Sequence, residues 1–193
     1  MEKEEIDKII YSFKELYQDK KSLDKITMND IVSSSGVSMG KIYSLFESKE
    51  DIALHLISKR IEDIFITFDE EVDNTMTLAE KLKTFISLQL EFISDIYPLV
   101  KDMTLDIVNP FSKVHDYYSH LRKKYFNFMK DLIIENKKTF FKDILISTLI
   151  NSFIIFNITI FSFWEKDNSP GKEETLKYID KGVKNFIVMI TLI

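Results

Sequence analysis

No cysteine occurs in this chain, so neither a disulfide framework nor a thiolate metal site is open to it. Prolines number three and glycines four, which leaves little material for tight turns. Glycine-rich phosphate loops, nucleophile triads and paired-carboxylate sites are missing as well. His115 and His120 stand five residues apart, not at the four-residue step of a helical metal pair, and read as surface or pocket-rim residues. We therefore expect no enzyme, no cofactor and no metal. Positive charge is also short. Lys and Arg total 26 against 31 Asp and Glu, a formal net charge of −5. That argues against an indiscriminate nucleic-acid binder and leaves room for a specific one whose lysines are focused locally. The opening "MEKEEIDK" is too charged for a secretory leader. With the missing cysteine, it leads us to expect a cytoplasmic protein.

What is present reads as helix. The 193 residues, 45% of them apolar, suit an all-α protein of one domain or two small ones. Ile6, Ile9, Ile10, Phe13, Leu16 and Tyr17 recur at three- and four-residue steps and form one face of a first helix. After the polar "QDKKSLDK", Thr27 and Asp30 make a capping pair for a short helix that stops at Gly36. Ser38 caps a second short helix, and Ser48 with Asp51 opens a long one to about Glu71. Thr77 and Glu80 cap an amphipathic helix to about Tyr97, where Pro98 is expected to end it. A short helix in "LVKDMTLDIV", a long one from Pro110 to "ENKK", and a very apolar one over roughly 139 to 166 follow. Ser169 and Pro170 then start a last helix that runs almost to Ile193. The total is about nine helices and no strand.

Two of the four glycines stand four residues apart, in "DIVSSSGVSMGKIYSLFESKED". Two short helices joined by a tight glycine turn make a helix-turn-helix unit. Gly36 supplies the positive φ of the turn. Ile31, Val37, Ile42 and Leu45 are spaced to lock the pair. Gly40 opens the second helix, where a bare backbone allows close approach to a surface, as when such a helix enters the major groove.

These residues resemble the DNA-binding head of the tetracycline-repressor (TetR) family. The matching positions are Thr27, Asp30, Ile31, Gly36, Val37, Ser38, Gly40, Ile42, Tyr43, Phe46, Ser48, Lys49, Glu50 and Asp51, within a match that covers about residues 6 to 55. Val32 and Ser35 depart from the small alanines usual there, and Leu45 from an aromatic or histidine. The resemblance implies a three-helix DNA-binding domain over 1–47 and a helical ligand-binding and dimerisation domain over 48–193. Thr27, Tyr43 and Lys49, the last as a mobile charge, are then expected at phosphates. Ser38, Met39, Lys41 and Ser44 are expected at base edges, with Gly40 close to the DNA backbone.

The run "ILISTLINSFIIFNITIFSFW" is long enough to cross a bilayer and carries no charge. Asn151 and Asn157 interrupt it, and the other helices are amphipathic. A soluble dimer also needs such a helix, with one face on its own core and the other on its twin. Paired with the last helix it would form a four-helix bundle, as the resemblance implies, with Phe156, Ile160, Phe186 and Ile190 at the interface. Phe92, Tyr97, Met103, Phe111, Tyr118, Phe126 and Phe153 are candidates for an apolar effector pocket among the middle helices. The expected protein is a homodimeric, ligand-responsive repressor. Its partners would be double-stranded operator DNA and a small, mostly apolar effector, with no membrane. An activator or constitutive regulator, a helical dimeric interaction protein with weak or lost DNA binding, and a membrane-anchored protein stay open beside it.

Overall fold

The structure is a computed structural model that describes residues 2–103, 113–135 and 143–192. Of residues 113–118, 135, 143, 144 and 192 only the backbone is described. Phe111, the end of the expected "LVKDMTLDIV" helix and the start of the apolar helix lie outside these residues, as do the side chains of His115 and Tyr118. Among the described residues there are nine α-helices and no strand. They are α1 Glu2–Lys20, α2 Met28–Ser35, α3 Met39–Leu45, α4 Lys49–Glu71, α5 Leu78–Ile93, α6 Tyr97–Asp102, α7 Lys113–Glu135, α8 Asp143–Lys166 and α9 Glu173–Leu192. Short 3-10 turns occupy Leu23–Lys25 and Pro170–Lys172. The chain forms two compact units, Met1–Glu62 with Asp95–Leu121, and Asp63–Ser94 with Arg122–Ile193.

In the first unit α1, α2 and α3 close over a small core. Ile9 and Phe13 of α1, Ile31 of α2, Ile42 of α3 and Ile52 and Ala53 of α4 are fully buried. Phe46, just past α3, joins them, whereas Leu45 is half-exposed and contributes less to the lock than its spacing suggested. α6 belongs to the same unit. Its Asp102 carboxylate accepts from the Tyr17 hydroxyl at 2.9 Å and from the Leu23 amide at 3.3 Å. Burial first, and then that bond to Asp102, push the Tyr17 phenol above its ordinary range. Asp95 receives Lys14 at 2.6 Å and Arg60 at 3.3 Å. Pro98 does not end α5, which stops at Ile93; it sits in the first turn of α6, where a missing amide costs nothing.

The second unit is built on aromatic rings. Phe65 and Phe68 of α4, Phe85 of α5 and Tyr125 and Phe128 of α7 form one cluster, with Phe85 and Phe128 centroids 4.7 Å apart. α9 packs on both α5 and α8. At Gly182 α9 lies so near α8 that a Cβ atom would overlap the Phe156 ring. The start of α9 is tied by Asp167 rather than by the expected Ser169 alone. Its Oδ2 accepts from the Thr175 amide at 2.8 Å and hydroxyl at 2.6 Å, and its Oδ1 from the Ser169 amide and hydroxyl. Hydrogen bonds from Ser169 and then Thr175 hold this carboxyl far below the usual carboxylate range. Ser169 has a smaller part, accepting from the Glu174 amide at 3.1 Å.

Three of the four residues expected at a dimer interface are buried within the single chain. Ile160, Phe186 and Ile190 are buried inside the single chain, and Phe156 is half-buried against Gly182, Phe153 and Tyr178. The outward apolar residues of α8 and α9 instead include Ile155, Ile158, Phe163, Leu176, Val188 and Met189. α8 is long and apolar enough to cross a membrane by length and composition, with a third of that stretch buried. The reason for the difference is phase: periodicity shows that both faces are apolar but not which one meets the chain's own core.

Two substitutions test this packing. Gly36→Val forces a β-branched residue into φ +68° and should lower the melting temperature markedly. Gly182→Val should destabilise by about 1–3 kcal/mol through overpacking against Phe156, with recovery when combined with Phe156→Ala. Equal melting of Gly182→Val and the parent would disprove the close approach.

Candidate nucleic-acid interface

The helix-turn-helix is fixed mainly by its ends. The Thr27 hydroxyl accepts from the Asp30 amide at 3.2 Å and donates to Asp30 Oδ2 at 2.8 Å. That carboxylate also accepts from the Thr27 amide at 2.8 Å and from Lys20 at 2.7 Å. The Lys20 bond, then those from Thr27, hold Asp30 down at about 2. Thr27 therefore spends its hydroxyl proton inside the cap, and what the first turn of α2 presents outward is chiefly Asn29. Gly36 takes φ 68°, ψ 8° and donates its amide to Val32 O at 3.0 Å, which closes α2. Val37 then turns into the core. Ser38 caps α3 by accepting from the Lys41 amide at 3.3 Å.

α3 has one buried anchor, Ile42, and an opposite side that is open. Gly40, Tyr43 and Ser44, at the three- and four-residue steps of one helical face, are all exposed, Tyr43 to 52%. Gly40 has ordinary helical backbone, and a Cβ there would meet nothing within 4 Å. Among the described residues nothing requires this glycine. Met39 and Lys41 flank the open face, both half-buried. Lys41 Nζ lies 3.4 Å from Glu5 Oε2. Ser44 donates its hydroxyl to Lys41 O at 2.7 Å, which leaves the oxygen as an acceptor.

Lys49 is not the mobile charge expected of it. Its ammonium donates to Leu23 O at 2.9 Å, joining the start of α4 to the start of the 3-10 turn. Beside it Ser48 accepts from the Asp51 amide at 3.2 Å, and Asp51 reaches back to the Glu47 amide at 3.1 Å. The return bond falls one residue earlier than a standard capping box places it.

The effector candidates divide between the two units. Met103 is fully buried and Tyr97 half-buried in the first. Phe153 is fully buried in the second, its ring against Phe186 at 5.0 Å, while Phe92 and Phe126 are half-buried there. The spacing of aromatics did not reveal the larger ring cluster around Phe85. Nor did it reveal Asn157, which is buried beside that cluster. Its amide nitrogen donates to Phe153 O at 2.9 Å and lies 3.4 Å from the Tyr125 hydroxyl, and its Oδ1 has no partner among the described residues.

A three-helix head with a helix-turn-helix, followed by six further described helices, is the fold of TetR-family transcriptional regulators; the resemblance carried by residues 6 to 55 extends to the whole fold. A protein from Syntrophomonas wolfei assigned to that family has TM-score 0.73, 22% identity and coverage of 97% of both chains. The fatty-acid regulator FadR of Bacillus subtilis, solved in complex with stearoyl-CoA, has TM-score 0.70 at 17% identity, over 90% of this chain and 95% of that one. By sequence the chain is 28% identical over 144 residues to an HTH-type transcriptional regulator of Staphylococcus aureus (strain USA300), covering 72% of this chain and 75% of the relative. No family model matches the chain.

The geometry has two measurable consequences. Asp30 gains stability for the head from its lowered pKa, so that gain is complete above its ordinary value of 3.8 and is lost as pH falls through about 2. The melting difference between the parent and Asp30→Asn should therefore hold steady from neutral pH to about 5 and shrink toward pH 2. Gly40→Ala should melt no lower than the parent, and up to about 1 kcal/mol more stably, since alanine is the better helix former.

Proposed function

We propose that this protein is a cytoplasmic DNA-binding transcriptional regulator, a ligand-responsive repressor acting as a homodimer on a near-palindromic operator. The observation that carries the reading is the exposed α3 face of Gly40, Tyr43 and Ser44, anchored by Ile42 and held at both ends. Residues 1–47 would form the DNA-binding domain and residues 48–193 the effector and dimer domain. Tyr43 would donate to a phosphate, as would the open first turn of α2 at Thr27. Ser38, Met39, Lys41 and Ser44 would face base edges, and Gly40 would admit the DNA backbone. Lys49 would act by fixing α4 against the Leu23 turn. Two α3 helices would reach successive major grooves about 34–36 Å apart.

Dimerisation would use the outward apolar residues of α8 and α9, Ile155, Ile158, Leu176, Val188 and Met189. The effector would be a small, largely apolar molecule bound near the ring cluster of the second unit. The unpartnered Asn157 oxygen favours a ligand that carries a hydrogen-bond donor. Such a ligand would act only through different affinities for the DNA-fitting and DNA-misfitting states. That a similarly folded regulator was solved with stearoyl-CoA supports an effector of this kind. The other reading, an interaction protein of the same fold, is favoured by the pairing of Lys41 and Lys49 within the chain.

Operator selection with purified protein separates the two, because only the first reading yields salt-dependent enrichment of one duplex sequence. Tyr43→Phe should then weaken all operator variants alike, by about 0.5–1.5 kcal/mol in titrations. Gly40→Leu should fold and lose operator binding; unchanged affinity would refute the close-approach role. Ile155→Glu with Val188→Glu should sediment as a folded monomer, since a charge buried at an interface costs several kcal/mol. An intact dimer would remove these faces from the interface.

A further inference from the structure

Lys41 is the sole charged residue of α3, and a carboxylate from α1 stands beside it. Lys41 Nζ and Glu5 Oε2 are 3.4 Å apart, with each side chain about a third exposed, at 36% and 35%. The acids next to Glu5 on α1 have other partners: Glu4 pairs with Lys8 and Asp7 with Lys59, both at 3.0 Å. Glu5 is thus the α1 acid turned toward the proposed recognition helix.

We propose that Glu5 is a specificity-setting residue that positions Lys41, holding its ammonium at the edge of the open α3 face and withholding that charge from DNA phosphates in general. The inference rests on the DNA-binding reading above. An ammonium has three N–H donors, and a single carboxylate oxygen engages one, so donors stay available to a base-edge acceptor such as guanine O6 or N7. A directed contact of that kind survives the ion pair. Attraction to an arbitrary phosphate does not, because the carboxylate at 3.4 Å cancels the lysine's charge beyond the pair. Non-specific affinity comes almost wholly from neutralising phosphates and releasing their counterions. Glu5 therefore removes about one such contact from every wrong site while leaving the base contact in place at the right one.

The test uses full-length protein and four forms: parent, Glu5→Gln, Lys41→Ala and the double variant. Each is titrated against an operator obtained by unbiased selection and against a scrambled duplex of equal length, over about 50–200 mM salt. Glu5→Gln should bind the scrambled duplex about two- to fivefold tighter, with a log–log salt slope steeper by about one unit. Operator affinity should change less, so the operator-to-scrambled ratio falls. With Lys41→Ala in place, Glu5→Gln should have a clearly smaller effect on both quantities. An unchanged ratio and slope in Glu5→Gln overturns the inference. So does a change of the same size without Lys41, which would mean simple repulsion between Glu5 and DNA. A parent protein that enriches no operator refutes the DNA-binding reading itself, and this inference with it. A parent that enriches one while Glu5→Gln behaves identically refutes the Glu5 role alone.

Discussion

Helices of eight and seven residues do not hold together in water on their own, and the proposed site is made of two of them. Everything at that site depends on how their ends are tied. α2 begins in a reciprocal cap between Thr27 and Asp30, reinforced by Lys20, and ends in the left-handed turn at Gly36. α3 begins at Ser38 and ends at Phe46, which is buried. Ile31 and Ile42, both fully buried, then anchor each short helix in the core by one central side chain, and α2 packs on both α1 and α3. With its single anchor inside and its ends satisfied, α3 can leave one side bare.

The electrostatics follow the same economy. The first fifty residues carry eight lysines and ten acids, so the head has no surplus of positive charge to offer. Lys41 of α3 and Lys49 at the start of α4 are both engaged inside the chain, Lys41 with Glu5 and Lys49 with the Leu23 carbonyl. A head of this kind would depend on fit, short side chains and directed hydrogen bonds more than on bulk charge. The Asp102 contacts add α6 to the same unit, through Tyr17 at the end of α1 and the backbone of the 3-10 turn. Any displacement of α6 would thus act on the turn to which Lys49 is bonded.

In the second unit the constraint is apolar volume. Rings from α4, α5 and α7 share one cluster, and α8 and α9 approach closely because Gly182 has no side chain where Phe156 lies. Asp167 fixes where α9 starts, binding Thr175 eight residues on. Together these settle which faces of α8 and α9 remain outside.

Local chemistry was legible in the sequence. The caps at Thr27, Ser38 and Thr77 and the turn at Gly36 involve partners three or four residues apart, and helical periodicity needs nothing beyond its own segment. The nine described helices, the helix-turn-helix and the exposure of Gly40, Tyr43 and Ser44 follow from such short-range rules. Contacts between distant segments leave no periodic trace. Glu5 with Lys41, Leu23 with Lys49, and Tyr17 with Asp102 are separated by tens of residues, and each changes the part its lysine or acid can play. The orientation of α8 and α9 was equally out of reach. A helix apolar on every face has no sequence signal for which side is core, so only packing against α5 and Gly182 decided that Ile160, Phe186 and Ile190 turn inward.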